Sequence, residues 1–228
     1  MKSLLPRRLR SWSRYWPLWL AAALAGCAAP LPPASPPAPT TSKQQVFPYE
    51  SGRLLLETRG STCRLTLQGA LDHAAVRRIG PALQAASAAG CSQRTAVLQS
   101  TGGVIGDAIT LGAMLRNRGY HTELPPGQTC DSPCILVYAA GLVRTAPAVA
   151  GTGFRFTQIP PDLDFGRQTC ATELSRGQQL TLARYLRAML PEHTANAVYQ
   201  QWLQADCRQS GQATPAQALA MGLVTTLR

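Results

Sequence analysis

The stretch Thr95-Ala96-Val97-Leu98-Gln99-Ser100-Thr101-Gly102-Gly103-Val104 decides the fold. Residues 95–99 are a short apolar run bounded by polar residues, the pattern of a buried strand. Two glycines follow, and then a helical pattern from about Asp107 to Asn117. Its Ala108, Leu111, Gly112 and Leu115 share one side, and Gly119 is the stop. A Gly-Gly turn between strand and helix lets bare main chain approach a substrate. Its amides can point at a developing oxyanion.

Working outward, strands and helices alternate. Arg53–Thr58 and Cys63–Leu67 read as a hairpin. Asp72 caps a helix to about Ala88, with Val76, Ile79 and Leu83 on one face, Pro81 kinking or shifting it and Gly90 ending it. Tyr120–Leu124 is a strand, Ile135–Ala140 a buried helix and Val149–Phe156 a strand with glycines. Ser175 caps a long helix to Leu190, and 194–205 are helical again. Thr214-Pro215 opens a short last helix, with Leu223–Leu227 as the closing strand. This order predicts an α/β fold with a mainly parallel sheet flanked by helices.

The first 46 residues are expected to lie outside that fold. Leu24-Ala25-Gly26-Cys27 resembles the lipobox of bacterial lipoproteins. It follows a cationic stretch (Lys2, Arg7, Arg8, Arg10, Arg14) and an apolar run, Trp16 to Ala25, too short to span a bilayer comfortably. The resemblance implies that residues 1–26 are a signal peptide and that Cys27 becomes the lipidated N-terminus; an ordinary signal peptide is the alternative. Ala28, rather than aspartate, after the cysteine implies the outer membrane, with the domain facing the periplasm. Several acyl chains anchor firmly where one binds only marginally. Residues 27–46 are then the lipidated cysteine and a Pro-rich, extended spacer, and 47–228 the globular domain.

The net charge of +11 is partly the leader's: without its five basic residues and no acids, 17 of the 22 basic groups face 11 acidic ones, +6. These charges are spread without a basic run, which argues against nucleic-acid binding. Lys43, in the spacer, is the only lysine after the leader. Beyond Cys27, six cysteines remain, an even number in an exported chain, and the expected pairs are chain neighbours: Cys63–Cys91, Cys130–Cys134 and Cys170–Cys207. Zinc is the rival use, but no histidine lies at ligand spacing, so no metal is expected. No phosphate-loop motif with lysine is present, and no cofactor is expected.

Three segments together resemble the ClpP/crotonase superfamily, and more narrowly its exported, ClpP-like periplasmic proteins in which a serine sits between two cysteines. They are Ser100-Thr101-Gly102-Gly103-Val104, then Cys130-Asp131-Ser132-Pro133-Cys134 before the apolar 135–140, then Thr214-Pro215-Ala216-Gln217-Ala218 with Met221-Gly222-Leu223-Val224. The resemblance covers roughly residues 53–228 and implies a spiral of β-β-α units. It makes Ser132 the candidate nucleophile, 29 residues after Gly103 and at the dipole end of a helix, and it makes Gly102 and Gly103, at the turn where the family's donors lie, the candidate oxyanion hole. Relatives of this type often form rings or trimers, and a small oligomer and an anchored monomer are equally compatible with these residues.

The chain departs from the pattern at the base. The resemblance calls for a histidine near Phe154 or Arg155, and Gly151-Thr152-Gly153-Phe154-Arg155-Phe156 has none. Arginine stays protonated and cannot serve, and no lysine lies within 47–228 to replace it. Of the three histidines, His73 and His193 read as surface or capping residues. His121, on the strand leading toward Ser132, is the one candidate base. Asp131 reads as a helix cap, with a carboxylate-partner role as the alternative. Asp162, Asp164 and Glu173 have no histidine to orient. The expectation is an envelope lipoprotein whose domain has lost peptidase chemistry and binds a peptide or protein. The alternatives are a serine hydrolase with an unusual base, and a structural lipoprotein with a vestigial pocket.

Overall fold

The computed structural model describes residues 42–157, 175–205 and 210–228. The expected signal peptide, Cys27, the spacer up to residue 41, the Cys170–Cys207 pair and the acidic residues at 162, 164 and 173 lie outside them.

The first strand is β1 (Ser42–Tyr49). It pairs antiparallel with β2 (Gly52–Arg59) along its whole length, and β2 pairs antiparallel with β3 (Thr62–Leu71). The folded unit therefore takes in residues 42–46 of the expected spacer. The proline-rich run ends at Pro39, and Ser42–Val46 is free to extend the ladder, while the one later proline, Pro48, is tolerated on this edge strand. Lys43 consequently sits on an edge strand, exposed and opposite Thr58.

Helix α1 (His73–Ala88) is capped by Asp72, whose side chain accepts from the Ala74 and Ala75 amides at 3.0 Å each. The helix runs on through Pro81, which is exposed, as is Arg77, the residue one turn before it. The Arg77 carbonyl that proline leaves unbonded is thus on the solvent side. Next come β4 (Gln93–Gly103) and α2 (Ile105–Arg116). Then β5 (His121–Glu123), β6 (Thr129–Asp131) and α3 (Ser132–Ala139) follow, and after them β7 (Arg144–Ala146) and β8 (Gly153–Phe156). The rest of the described chain is α4 (Arg176–Met189), α5 (Glu192–Gln204), β9 (Gly211–Ala213), α6 (Pro215–Ala220) and β10 (Thr226–Leu227).

The strands form two sheets. Seven are ordered β1-β2-β3-β4-β5-β7-β10 and three are ordered β6-β8-β9. From β3 onward every pair in the large sheet is parallel. Successive units send one strand to each sheet: β5 and β6 precede α3, and β7 and β8 precede α4. That is the expected spiral. The core joins one face of the large sheet (Leu54, Leu56, Leu65, Leu67, Leu98) to Ile79, Leu83, Leu111 and all of α3. Each of these aliphatic side chains contributes roughly 1.5–3 kcal/mol on burial.

Arg144 on β7 is buried, and burial depresses its pKa. Among the described residues its guanidinium donates to three carbonyls: Leu223 at 2.7 Å, Gly141 at 2.9 Å and Gly222 at 3.1 Å. Those bonds fasten the segment before β10 beneath the sheet edge.

Candidate functional site

Strand β6 delivers Ser132 to the first turn of α3, where Pro133 forfeits no helical bond. A Cys130–Cys134 disulfide ties strand to helix on either side of the serine, and Cys63–Cys91 ties β3 to the entry of β4. Both are pairs the sequence suggested.

The serine is not presented to solvent. Ser132 is 1% exposed. Its hydroxyl donates to the Thr157 carbonyl at 2.9 Å and accepts from the Thr157 amide at 2.9 Å and from Trp202 Nε1 at 2.8 Å. The Thr157 hydroxyl lies 3.2 Å away. A serine hydroxyl has one donor and two lone pairs, so these contacts use it up. Its proton rests on a backbone carbonyl, which cannot remove it. Trp202 is itself 1% exposed, with its ring edge-on to Phe156 at 5.1 Å and 88°. It reaches the serine from α5, which is held beside α3 by α4: a Ser175/Gln178 capping box starts α4, and Tyr185 donates to the Leu136 carbonyl at 2.9 Å.

Arg155 occupies the strand where a base histidine was sought. Its cross-strand partner is Asp131, and the two join in a fork, Nε and Nη2 each 2.8 Å from a carboxylate oxygen. Those hydrogen bonds, with the carboxylate's charge, raise the guanidinium pKa further. This corrects the reading of Asp131 as a helix cap: its side chain caps nothing. Both carboxylate oxygens face Arg155, and Pro133 has no N–H to offer at the second helical position.

His121 does not serve the serine. It lies on β5 in the large sheet, and its Nδ1 accepts from the Val143 amide at 3.1 Å. No hydrogen bond joins it to Ser132, whose partners come from the end of β8 and from α5. His193 pairs with Thr194 at 3.1 Å, and His73 is exposed at the start of α1. The glycine pair also differs from expectation. Gly102 and Gly103 belong to β4 rather than to a turn, with φ of 125° and 150°. The Gly102 amide donates to Ser100 Oγ at 3.1 Å, and a Cβ at Gly103 would lie 2.4 Å from the Leu71 carbonyl. Gln128 ties this strand end to β6 by donating to the Ser100 carbonyl at 3.2 Å.

A cleft of ≈ 470 Å³ opens on the outer face of the small sheet, floored by Gly151 and Gly153 and walled by Thr129, Arg155, Gln212 and Gln217. Among the described residues no group of three or more His, Cys, Asp or Glu side chains is placed to hold a metal. The residues that sequence reasoning missed are Trp202 and Thr157. The Ala195–Val198–Trp202 stripe marks a buried helix face, but nothing in it names a partner 70 residues away.

No protein-family model matches the chain, and no curated protein matches it. Among solved structures the chain is similar to a serine-to-alanine mutant of a membrane-bound stomatin-specific protease, with TM-score 0.55 and 12% identity over 72% of this chain and 77% of that one. It is also similar to a peptidase from Plasmodium falciparum, with TM-score 0.50 and 12% identity over 72% of this chain and 94% of that one. A probable enoyl-CoA hydratase/isomerase from Mycobacterium abscessus superposes with TM-score 0.49 and 13% identity, over 76% of this chain and 68% of that one. At such identities the likeness is one of architecture. The chain has a ClpP/crotonase-like α/β fold, a mostly parallel sheet flanked by helices.

Proposed function

We propose that this is a ClpP-like domain without serine-peptidase chemistry, held at the bacterial envelope by a lipid on Cys27 and binding an extended peptide or a protein partner. One observation carries the loss of chemistry: the Ser132 hydroxyl is buried and fully hydrogen-bonded to Thr157 and Trp202, with an ion-paired arginine where a base would stand. A nucleophile needs a proton acceptor and an open approach, and among the described residues this serine has neither. Support for binding comes from the cleft beside Arg155, which offers open backbone and polar side chains on a sheet face. The anchor and the outer-membrane, periplasm-facing location rest on the lipobox-like stretch and Ala28.

The test is a fluorophosphonate probe applied to the full chain in detergent. No adduct at Ser132 is expected, and none in Arg155→His, because Trp202 still covers the hydroxyl. Stoichiometric labelling that disappears in Ser132→Ala would overturn the reading and restore the hydrolase. On an array of short peptides, Gln212→Trp should weaken binding by narrowing the cleft.

A further inference from the structure

The strand directions give the large sheet two unlike ends. From β3 onward the paired strands run parallel, and β1 runs with them, because it is antiparallel to β2 and β2 to β3. At the end where these strands begin, Ser42, Arg59, Thr62 and Gln93 lie side by side across β1 to β4. The surface continues past β4. Arg94 Nη1 donates to the Arg118 carbonyl at 3.0 Å, and a Cβ at Gly119 would lie 3.9 Å from Leu142 Cδ1. The segments that turn the chain into β3, β4, β5 and β7 at this end are 59–62, 89–94, 116–120 and 140–144. They carry Arg59, Arg94, Arg116, Arg118 and Arg144 and no aspartate or glutamate. At the opposite end, 49–52, 71–73 and 103–107 carry Glu50, Asp72 and Asp107 and no lysine or arginine.

Helix dipoles account for part of this division. Asp72 caps α1, Asp107 sits in the first turn of α2, and Arg116 donates to the Ala140 and Gly141 carbonyls just past α3. Arg94 and the buried Arg144 are likewise bonded to carbonyls. Lys43, Arg59 and Arg118 are not spoken for in this way. All are exposed, and among the described residues their side chains have no hydrogen bond and no ion pair. Glu57, two residues before Arg59, stands opposite Arg64. Beside Arg118 the aliphatic tip Leu142–Val143 is 48% and 40% exposed. Free cations around an exposed aliphatic tip match an anionic lipid surface, where headgroup phosphates take the cations and the acyl boundary takes the tip. The described chain also begins at this end, at Ser42. Residues 28–41 can span at most roughly 50 Å, so a lipid on Cys27 tethers the domain by this end. Such a tether holds the domain at an effective concentration on the order of millimolar over the bilayer, where a weak contact suffices. We propose that the Ser42 end of the large sheet lies against anionic phospholipid, with Lys43, Arg59 and Arg118 on the headgroups and Leu142–Val143 between them. This orientation rests on the reading of Cys27 as the lipid anchor.

The test uses the full chain in nanodiscs of phosphatidylglycerol and phosphatidylcholine in equal parts. A fluorophore is attached at Asn117→Cys, next to Arg118, or at Glu50→Cys on the opposite end, and the signal is read above the background of the unsubstituted chain. Lipids spin-labelled near the headgroup should quench the fluorophore at position 117 and spare the one at position 50. High salt, or discs of phosphatidylcholine alone, should abolish the difference. Arg59→Gln and Arg118→Gln should each weaken docking about fivefold, the factor for one basic residue at an anionic surface. Arg53→Gln, toward the other end of β2, should leave it unchanged. Circular dichroism melts confirm that these surface changes leave the fold intact. The intact mass of the extracted chain reads acylation separately, and an unmodified Cys27 overturns the anchor reading alone. Equal quenching at the two positions overturns the inference whether or not Cys27 is acylated. So does quenching indifferent to salt and to both arginine variants.

Discussion

Replacing Ser132 by alanine tests the site most directly, because a structural serine and a catalytic one predict opposite signs. The hydroxyl satisfies two donors, the Thr157 amide and the Trp202 indole, and gives its proton to the Thr157 carbonyl. Ser132→Ala strands all three. A buried polar group without a partner costs about 1–3 kcal/mol. Trp202 is fully enclosed and incurs the whole penalty, whereas Thr157 is half-buried and partly rescued by water. The expected loss is about 2–4 kcal/mol, or a fall in Tm of roughly 6–12 °C for a domain of this size. Trp202→Phe should be destabilising too. The double variant should fall short of the summed losses by about 1 kcal/mol, since the two residues share one bond. Urea and thermal melts with the disulfides intact provide the measurement. In a working hydrolase the nucleophile is held at some expense of stability, and its removal is neutral or stabilising. Finding Ser132→Ala as stable as wild type, or more so, would refute the argument that this hydroxyl is a structural pin.

Other consequences are measurable in the same way. Removing Cys63 and Cys91 together should cost more than removing Cys130 and Cys134, about 3.5 against about 2 kcal/mol, because the closed loops differ in length (separations of 28 and 4). Comparing the two melts after paired alanine substitution checks this. Gly103→Ala should be far more damaging than Gly102→Ala in urea titrations: both have positive φ, but only the Gly103 Cβ would strike the Leu71 carbonyl. Hydrogen bonds from Arg64, opposed by burial and helped by the charges of Arg64 and Arg228, hold Glu123 below the ordinary glutamate value of 4.5. Its stabilisation is complete above that pH and is lost as pH falls through the lower, folded value. The stability gap between wild type and Glu123→Gln should therefore be widest near neutrality and close in acid.

Much of the architecture was written in local patterns. The apolar run at 95–99, the Asp72 cap and the Ser175 capping box all predict their elements, because each signal acts within one or two turns of chain. The cysteine pairs 63/91 and 130/134 were legible for a different reason, an even number of cysteines in an expected exported chain paired as neighbours in order. The site was not. That Ser132 faces inward depends on α5 being carried over α3, and no spacing in the sequence encodes that contact. The pairing of Asp131 with Arg155 was likewise invisible, since it follows from β6 lying in register beside β8 in a second sheet. Even the start of the domain was misplaced, because residues 42–46 have little apolar pattern and owe their strand to the ladder β2 offers.

The guanidinium under β7 also bears on synthesis order. Arg144 is made roughly eighty residues before the Gly222 and Leu223 carbonyls that receive it. Until those residues emerge, a growing chain cannot bury this cation without stranding its donors. Closure of that flank of the domain is thus deferred to the last stretch of translation. A protease that clipped the chain ahead of Gly222 would reopen the flank, leaving a permanent positive charge over an incomplete edge.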